Sequence, residues 1–144
     1  MTSGGSDQNL SLGILIYSDR GIAETVELAK LSESLGCNYF WYTDVRFARE
    51  CYVVLGSIAS ATKNILLAPG VTDPYSRHPA LTAAAIATLD EISNGRAVLG
   101  LGVGAAGFKE LGITPVLPIA AMREAIAVFR GLLTGNEVTV EGKV

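Results

Sequence analysis

A chain of 144 residues that is 49% hydrophobic is long enough to form one domain with a packed core, and its formal net charge of −3 leaves no basic stripe to release counterions from nucleic acid. No apolar run reaches the roughly 18 residues of a membrane-spanning helix. Cys37 and Cys51 stand apart and His78 is the single histidine, so neither a metal-ligand spacing nor a disulfide framework can be written, and a reducing cytoplasm is the expected setting.

Residues 1–11 are polar and rich in Gly and Ser, without the apolar segment of a signal peptide, and are expected to be disordered. Residues 12–17 read as a buried strand ending at Ser18, Asp19, Arg20 and Gly21. A helix over 22–35 follows, with two apolar groups, Ile22/Val26/Ala29 and Leu28/Leu31/Leu35, and Gly36 as its stop. Residues 39–43 form an aromatic-rich second strand with Asp44 at its carboxyl end. The second helix, near 50–61, carries Gly56, Ser57, Ala59 and Ser60, small residues that permit close helix approach.

A third strand over 65–68 stops at Pro69, Gly70 and Val71, where the backbone can turn sharply against a flat ligand. The next helix shows Leu81, Ala85, Leu89 and Ile92 at three- and four-residue spacing, with Gly95 as its stop. Residues 97–101 are short, continuous and apolar, the pattern of a parallel strand covered on both faces. Gly102, Gly104 and Gly107 spell GxGxxG. The acidic residue that should close a dinucleotide fingerprint, Glu124, falls inside the next helix, 118–133, whose apolar positions are Ile119, Met122, Ile126, Phe129 and Leu133, so the fingerprint fails in context. Alternating strands and helices with right-handed crossovers give a parallel sheet, either open and doubly wound or closed into a barrel.

The run Gly70-Val71-Thr72-Asp73-Pro74-Tyr75, then Arg77, Pro79-Ala80, Ala85 to Glu91, Ser93, Gly95-Arg96-Ala97, Leu99-Gly100 and Gly102 resembles the luciferase-like superfamily of flavin- and deazaflavin-dependent oxidoreductases. Within it the chain is most similar to the N-terminal half of the methylenetetrahydromethanopterin reductases, which use coenzyme F420. The resemblance implies an α/β fold of parallel β/α units of a TIM barrel. Such barrels need about 250 residues, so four units of eight are expected over 12–135, a half-barrel or truncated barrel, and 136–144 begins an insertion or tail.

The implied function is hydride transfer between F420 and a tetrahydromethanopterin-like or small carbonyl or imine substrate. An FMN-dependent monooxygenase is the alternative in the same fold, and a non-catalytic half-barrel interaction protein the alternative outside enzymology. The ligand would lie over the carboxyl ends of the strands. Pro69, Gly70, Val71, Thr72, Gly102 and Gly104 are the implied cofactor-binding residues, with a bulge and a non-prolyl cis peptide at Gly70-Val71. Asp44 is the candidate catalytic residue, or else a cap for the second helix. Val45 stands where relatives often carry histidine, Leu15 where reductases tend to carry an acid, and Ala105 where many dehydrogenases place glutamate. His78, before Pro79, reads as a helix-start residue, and Arg96 as a structural group at the opposite end, in a salt bridge or a helix C-cap contact with Asp90 or Glu91 as candidates. The second and third helices, through Gly56, Ala59, Ala83, Ala84 and Ala87, would make a homo-oligomer contact, or a missing second half would cover the barrel interior lined by Leu12, Ile14, Leu66 and Val98.

Overall fold

The computed structural model describes residues 10–104 and 107–143. Its elements alternate as expected through α3 and then pass from helix to helix: β1 (Gly13–Ile16), α1 (Ile22–Ser34), β2 (Tyr39–Tyr42), α2 (Cys51–Ala61), β3 (Leu66–Pro69), α3 (Pro79–Ser93) and α4 (Pro118–Leu133). The three strands form a parallel sheet in the order β1-β2-β3, with Leu15 level with Trp41 and Trp41 level with Ala68. All four helices form, α1 packing on α2, α2 on α3, and α3 on α4. Most of the polar stretch expected to be disordered lies outside the described residues; Leu10 and Ser11 are exposed.

The fourth strand expected over residues 97–101 does not form as a regular strand: that segment runs beside β3 without a continuous ladder. Residues 97–101 join β3 only at two isolated parallel bridges, Leu67 with Ala97 and Thr72 with Leu101. Five steps along the third strand thus span four along the fourth, a bulge of one residue. The ladder holds below it, where Leu67 N–H donates to Arg96 O at 2.9 Å and Val98 N–H to Leu67 O at 2.8 Å. Between these anchors Pro69 has no N–H to give, and the Gly70 N–H turns to Tyr42 O of β2 at 2.7 Å.

One sheet face packs on the helices. Phe40, Tyr42 and Leu67, with Ile14, Ile16, Ala97 and Leu99, meet Ala29 of α1, Val54, Leu55 and Ile58 of α2, and Ile86 and Leu89 of α3. Ile14 therefore belongs to the helix-facing core and not to the barrel interior, a correction that follows from strand alternation: Leu15, between Ile14 and Ile16, is the residue of the open face and is 46% exposed.

The helix faces also differ from their apolar spacing. In α3 the buried residues are Thr82, Ala83, Ile86, Leu89 and Ser93, while Leu81 and Ile92 are exposed; in α4 they are Ala121, Ala125 and Phe129, while Ile119, Ile126 and Leu133 are exposed. Small residues occupy the seam where α3 meets α4: Ala83 packs with Ala125 and Phe129.

The helix starts and stops are local. Glu50 caps α2 by accepting the Val53 N–H at 2.8 Å, so Asp44 is not the cap of that helix. His78 caps α3, its Nδ1 accepting the Ala80 N–H at 3.1 Å ahead of Pro79 at the first turn. Asn94 and Gly95, both at positive φ, end α3 as the glycine signal predicts. Residues 136–143 form no regular element, and the tail returns to α4, where Lys143 N–H donates to Glu124 Oε1 at 2.8 Å.

At the amino end of the sheet, Glu33 Oε1 accepts the backbone N–H groups of Lys63, Asn64 and Ile65 at 2.9, 2.6 and 2.9 Å. Burial alone would raise the Glu33 pKa, but these three donors and the charge of Arg96 hold it below the ordinary carboxylate value. A lowered folded-state pKa contributes stability that is present above the unfolded value, about 4.3, and is lost as pH falls through the folded one. Glu33→Gln is thus expected to lower stability at pH 7 by about 1 kcal/mol, the solvent at this half-buried site weakening the charge contribution. Urea unfolding across pH 7 to 3 should show the variant losing less stability on acidification than the parent; parallel curves would contradict this.

Candidate functional site

The carboxyl ends of the strands carry a shelf whose shape depends on missing side chains. A Cβ at Gly70 would stand 3.2 Å from Leu15 Cδ1 and 3.3 Å from Trp41 Cβ, and one at Gly102 would stand 2.7 Å from Val71 Cγ2. These glycines let Leu15, Trp41 and Val71 close up into an apolar surface, on which Leu15 and Val71 remain 46% and 43% exposed. The Gly70-Val71 peptide is cis, as the resemblance implies. Thr72 is buried and pinned through its backbone: its N–H donates to Gly100 O at 3.0 Å, and its carbonyl accepts the Gly102 N–H at 2.9 Å. Its hydroxyl is buried and faces the hydroxyl of Tyr52. Pro69 is fully buried beneath the shelf.

The neighbouring loops are fastened by side chains. Thr43 Oγ1 accepts the Ser18 N–H at 2.9 Å, and Arg49 donates to Ser18 O at 3.1 Å, joining the ends of β1 and β2. Asp44, half-buried, makes no hydrogen bond among the described residues and stands in a cleft of about 390 Å³ with Val45, Arg46, Ser76, Arg77 and Leu111. A more voluminous groove, about 630 Å³, lies between the start of α3, α4 and residues 138–142, with Pro74 and Tyr75 of the loop after β3 on its wall. Burial raises the pKa values of Cys51 and Tyr52, Asp44 adding to both, so neither is poised to ionise near neutrality.

A cluster whose members are far apart in the sequence joins three of these loops. Asp73, 3% exposed, accepts the N–H groups of Tyr75 and Ser76 on Oδ1, each at 2.8 Å, and on Oδ2 the Ser76 hydroxyl at 2.6 Å and Arg46 Nη2. The Arg46 guanidinium lies 4.4 Å over the Phe108 ring, which meets Tyr75 edge-on at 5.7 Å. A Cβ at Gly104 would stand 2.5 Å from Phe108 Cζ and 3.0 Å from Arg46 Nη2, and one at Gly107 3.0 Å from Arg46 Cδ. What Gly104 clears is room for Arg46 and Phe108. Ala105 lies outside the described residues.

Arg96 is at the opposite end and contacts the carboxyl end of α3, as expected, its Nε donating to Ser93 O at 2.7 Å, but it forms no ion pair with Asp90 or Glu91 among the described residues. It donates to backbone carbonyls and to Thr62, while Asp90 accepts the Ala97 N–H at 3.1 Å. Among the described residues no cluster of His, Cys, Asp and Glu could hold a metal ion. No helix among them is long and apolar enough to cross a membrane.

A parallel sheet with helices on one face and a glycine-shaped shelf at its carboxyl ends is the arrangement of part of a β/α barrel. The chain belongs to the luciferase-like monooxygenase family, whose sequence profile matches residues 3–144. It is 43% identical over 136 residues to the 5,10-methylenetetrahydromethanopterin reductase of Archaeoglobus fulgidus, covering 94% of this chain and 41% of the relative. To the reductase of the same name from Methanolobus tindarius it is 40% identical over 134 residues, covering 92% of this chain and 41% of the relative. The chain thus spans about two fifths of the length of these relatives. The structure of a coenzyme F420-dependent tetrahydromethanopterin reductase from Methanopyrus kandleri superposes with a TM-score of 0.87 at 37% identity, over 92% of this chain and 43% of that one. The oxygenating constituent of 3,6-diketocamphane monooxygenase from Pseudomonas putida, solved with FMN, shares the fold with a TM-score of 0.80 at 22% identity, over 92% of this chain and 42% of that one.

Proposed function

We propose that this chain supplies the cofactor-facing part of a coenzyme F420-dependent oxidoreductase acting on a tetrahydromethanopterin-like or small carbonyl or imine substrate. The observation that carries this reading is the shelf: Gly70 and Gly102 leave an apolar, half-exposed surface of Leu15, Trp41 and Val71 that a Cβ at either position would fill. A planar deazaflavin ring fits such a surface, and it would supply the hydride chemistry when bound. Pro69, Gly70, Val71, Thr72 and Gly102 would support the ring, with Gly104 shaping the adjoining loop. Asp44 is the carboxylate we assign to holding or accepting a proton, since no hydrogen bond among the described residues occupies it and Val45 offers no group that titrates near neutrality. An FMN-dependent monooxygenase is the second reading, favoured by the family's description.

In this proposal residues 12–135 are four of eight barrel units, 1–11 a polar lead and 136–144 the start of an insertion. Leu15, Tyr17 and Val103, 46%, 65% and 44% exposed, are then covered by a second half, whereas Leu12, two residues before Ile14, has the parity of the helix-facing side. A homo-oligomer contact is assigned to the outer groove between α2 and α3, where Val53 and Ile92 are exposed beside Gly56, Ala84 and Thr88; Ala59 and Ala83, grouped with them on sequence grounds, are instead buried inside the chain's own core. Free Cys37 and Cys51 suit a reducing cytoplasm.

Titration with coenzyme F420 and with FMN, followed by cofactor fluorescence, tests the reading. The purified chain alone is expected to bind F420 more weakly than about 1 µM. Adding the separately produced remainder of the Archaeoglobus fulgidus relative should tighten binding at least tenfold. Absence of saturable binding to the mixture overturns the proposal, and preference for FMN selects the second reading. Sedimentation of the same samples should show self-association, and a strictly monomeric chain at high concentration would remove the α2/α3 contact.

A further inference from the structure

We propose that Arg46 is a positioning residue that couples the shelf to the loop after the fourth strand, an inference that rests on the cofactor reading above. Three loops meet at this one side chain. Arg46 comes from the loop after β2; it bonds Asp73, in the loop after β3, and lies against Phe108 and the backbone of Gly104 and Gly107, in the loop after residues 97–101. Its Nη2 also reaches the Ser76 hydroxyl at 3.3 Å. Asp73 in turn follows Thr72, which bridges Gly100 and Gly102, so the Arg46–Asp73 pair is one residue removed from the backbone that carries Val71 and fixes Gly102. Asp44 lies two residues before Arg46 on the same loop.

The burial makes this contact more than a surface ion pair. The Asp73 side chain is 2% exposed and that of Arg46 13%. Three protein donors besides Arg46 already satisfy Asp73, so the carboxylate is held in one orientation before the guanidinium arrives. The planar guanidinium meets two demands at once, an in-plane hydrogen bond to a carboxylate and a flat face for Phe108, which a lysine ammonium cannot meet together. Gly104 and Gly107, both at positive φ and both without room for a Cβ, shape the third loop around that plane. A second pair, Arg77 with Glu50, joins the first two loops again but does not reach the third. Arg46 alone among these cations touches all three.

The test uses Arg46→Lys, Arg46→Met and Asp73→Asn, with Arg20→Ala, which removes the exposed pair with Glu24, as the control. Backbone hydrogen exchange of the chain is read at residues 72–76 and 107–113, and F420 affinity and the visible circular dichroism of bound F420 are read in the complemented mixture. Exchange is expected to rise about tenfold in both remote loops for Arg46→Met, and at 107–113 for Arg46→Lys, with α1 unchanged. The dissociation constant should rise about tenfold and the ring spectrum should change, as displacement of a supporting surface predicts. Faster exchange confined to residues 45–50 overturns the coupling. Loosened remote loops with unchanged affinity and spectrum overturn the positioning role. If the parent mixture binds neither F420 nor FMN, the cofactor reading has failed, and the coupling then stands or falls on the exchange pattern alone.

Discussion

Exchange of Arg96 for methionine is expected to lower the unfolding free energy by about 3 to 5 kcal/mol, the range for removing one partner from a buried, charged hydrogen-bond network. Arg96 is 8% exposed and ties the carboxyl ends of two helices to the start of a strand. Its Nε donates to Ser93 O of α3 at 2.7 Å; Nη1 donates to Thr62 Oγ1 at 3.0 Å and Ile65 O at 2.9 Å; Nη2 donates to Ala59 O at 2.9 Å and Thr62 O at 3.1 Å. Carbonyls in the last turn of a helix have no partner of their own and carry the negative end of its dipole, so a buried cation here satisfies several at once. Burial lowers the Arg96 pKa, the charge of Glu33 opposing it, and an arginine stays charged regardless. The turn between α2 and β3 is therefore gripped from two sides, its N–H groups by Glu33 and its carbonyls by Arg96. Methionine would leave those carbonyls dry and unpaired, and lysine, with a single ammonium, should recover less than half of the loss. Urea unfolding gives the number; a loss below about 1 kcal/mol would mean that water replaces the guanidinium and that the grip is dispensable.

Which parts of this are legible in the sequence follows from how local the determinants are. Helix ends are local: Pro79 and Pro118 at first turns, and Gly36 and Gly95 after last ones, place boundaries within a residue or two of those observed. Helix faces are not. In α3 and α4 alanines supply an apolar face besides the one marked by leucine and isoleucine, so the spacing of the large residues alone cannot choose a side, and the seam goes to Ala83 and Ala125 with Phe129 because close approach rewards small volume. The exposed Leu81 and Ile119 show that large apolar side chains need not be the buried ones. Strand alternation is likewise available from the sequence but needs a parity, and Ile14 lies on the face opposite to the one expected.

At the site, the glycines at 70 and 102 and the cis peptide are readable only because the surrounding run resembles a family; spacing alone would allow an ordinary turn. Arg46 and Asp73 are invisible as a pair because 27 residues separate them and nothing local links them. Two signals are nonetheless present. Asp73-Pro74-Tyr75-Ser76 is the composition of a turn in which aspartate accepts backbone N–H groups, and Arg46 and Asp73 lie in loops that any parallel barrel brings together. Opposite charges on converging loops are a pairing hypothesis that single-loop reading omits.

Gly100→Ala is expected to destabilise the chain by about 3 kcal/mol and to abolish the shelf, though Gly100 carries no side chain and forms no part of the ligand surface. It is buried, and a Cβ there would stand 2.8 Å from Trp41 Cζ3 and closer still to the Pro69 carbonyl oxygen. The first neighbour is a side chain and could rotate. The second is backbone, inside a third strand already committed to β2 through the Gly70 N–H, so relief requires the fourth strand to move away. That movement breaks the Thr72 N–H bond to Gly100 O and the Gly102 N–H bond to Thr72 O, which close the far side of the bulge. Gly56 provides the contrast. It lies within α2 at ordinary helical φ, and a methyl group added there would meet nothing within 4 Å, so Gly56→Ala should stabilise by about 0.5 to 1 kcal/mol. Urea midpoints of the two variants should therefore move in opposite directions, and cofactor affinity of the complemented mixture should fall only for Gly100→Ala. A Gly100→Ala chain that unfolds at the parent's midpoint would show that the fourth strand is not seated against Pro69 and that the shelf is held by other contacts.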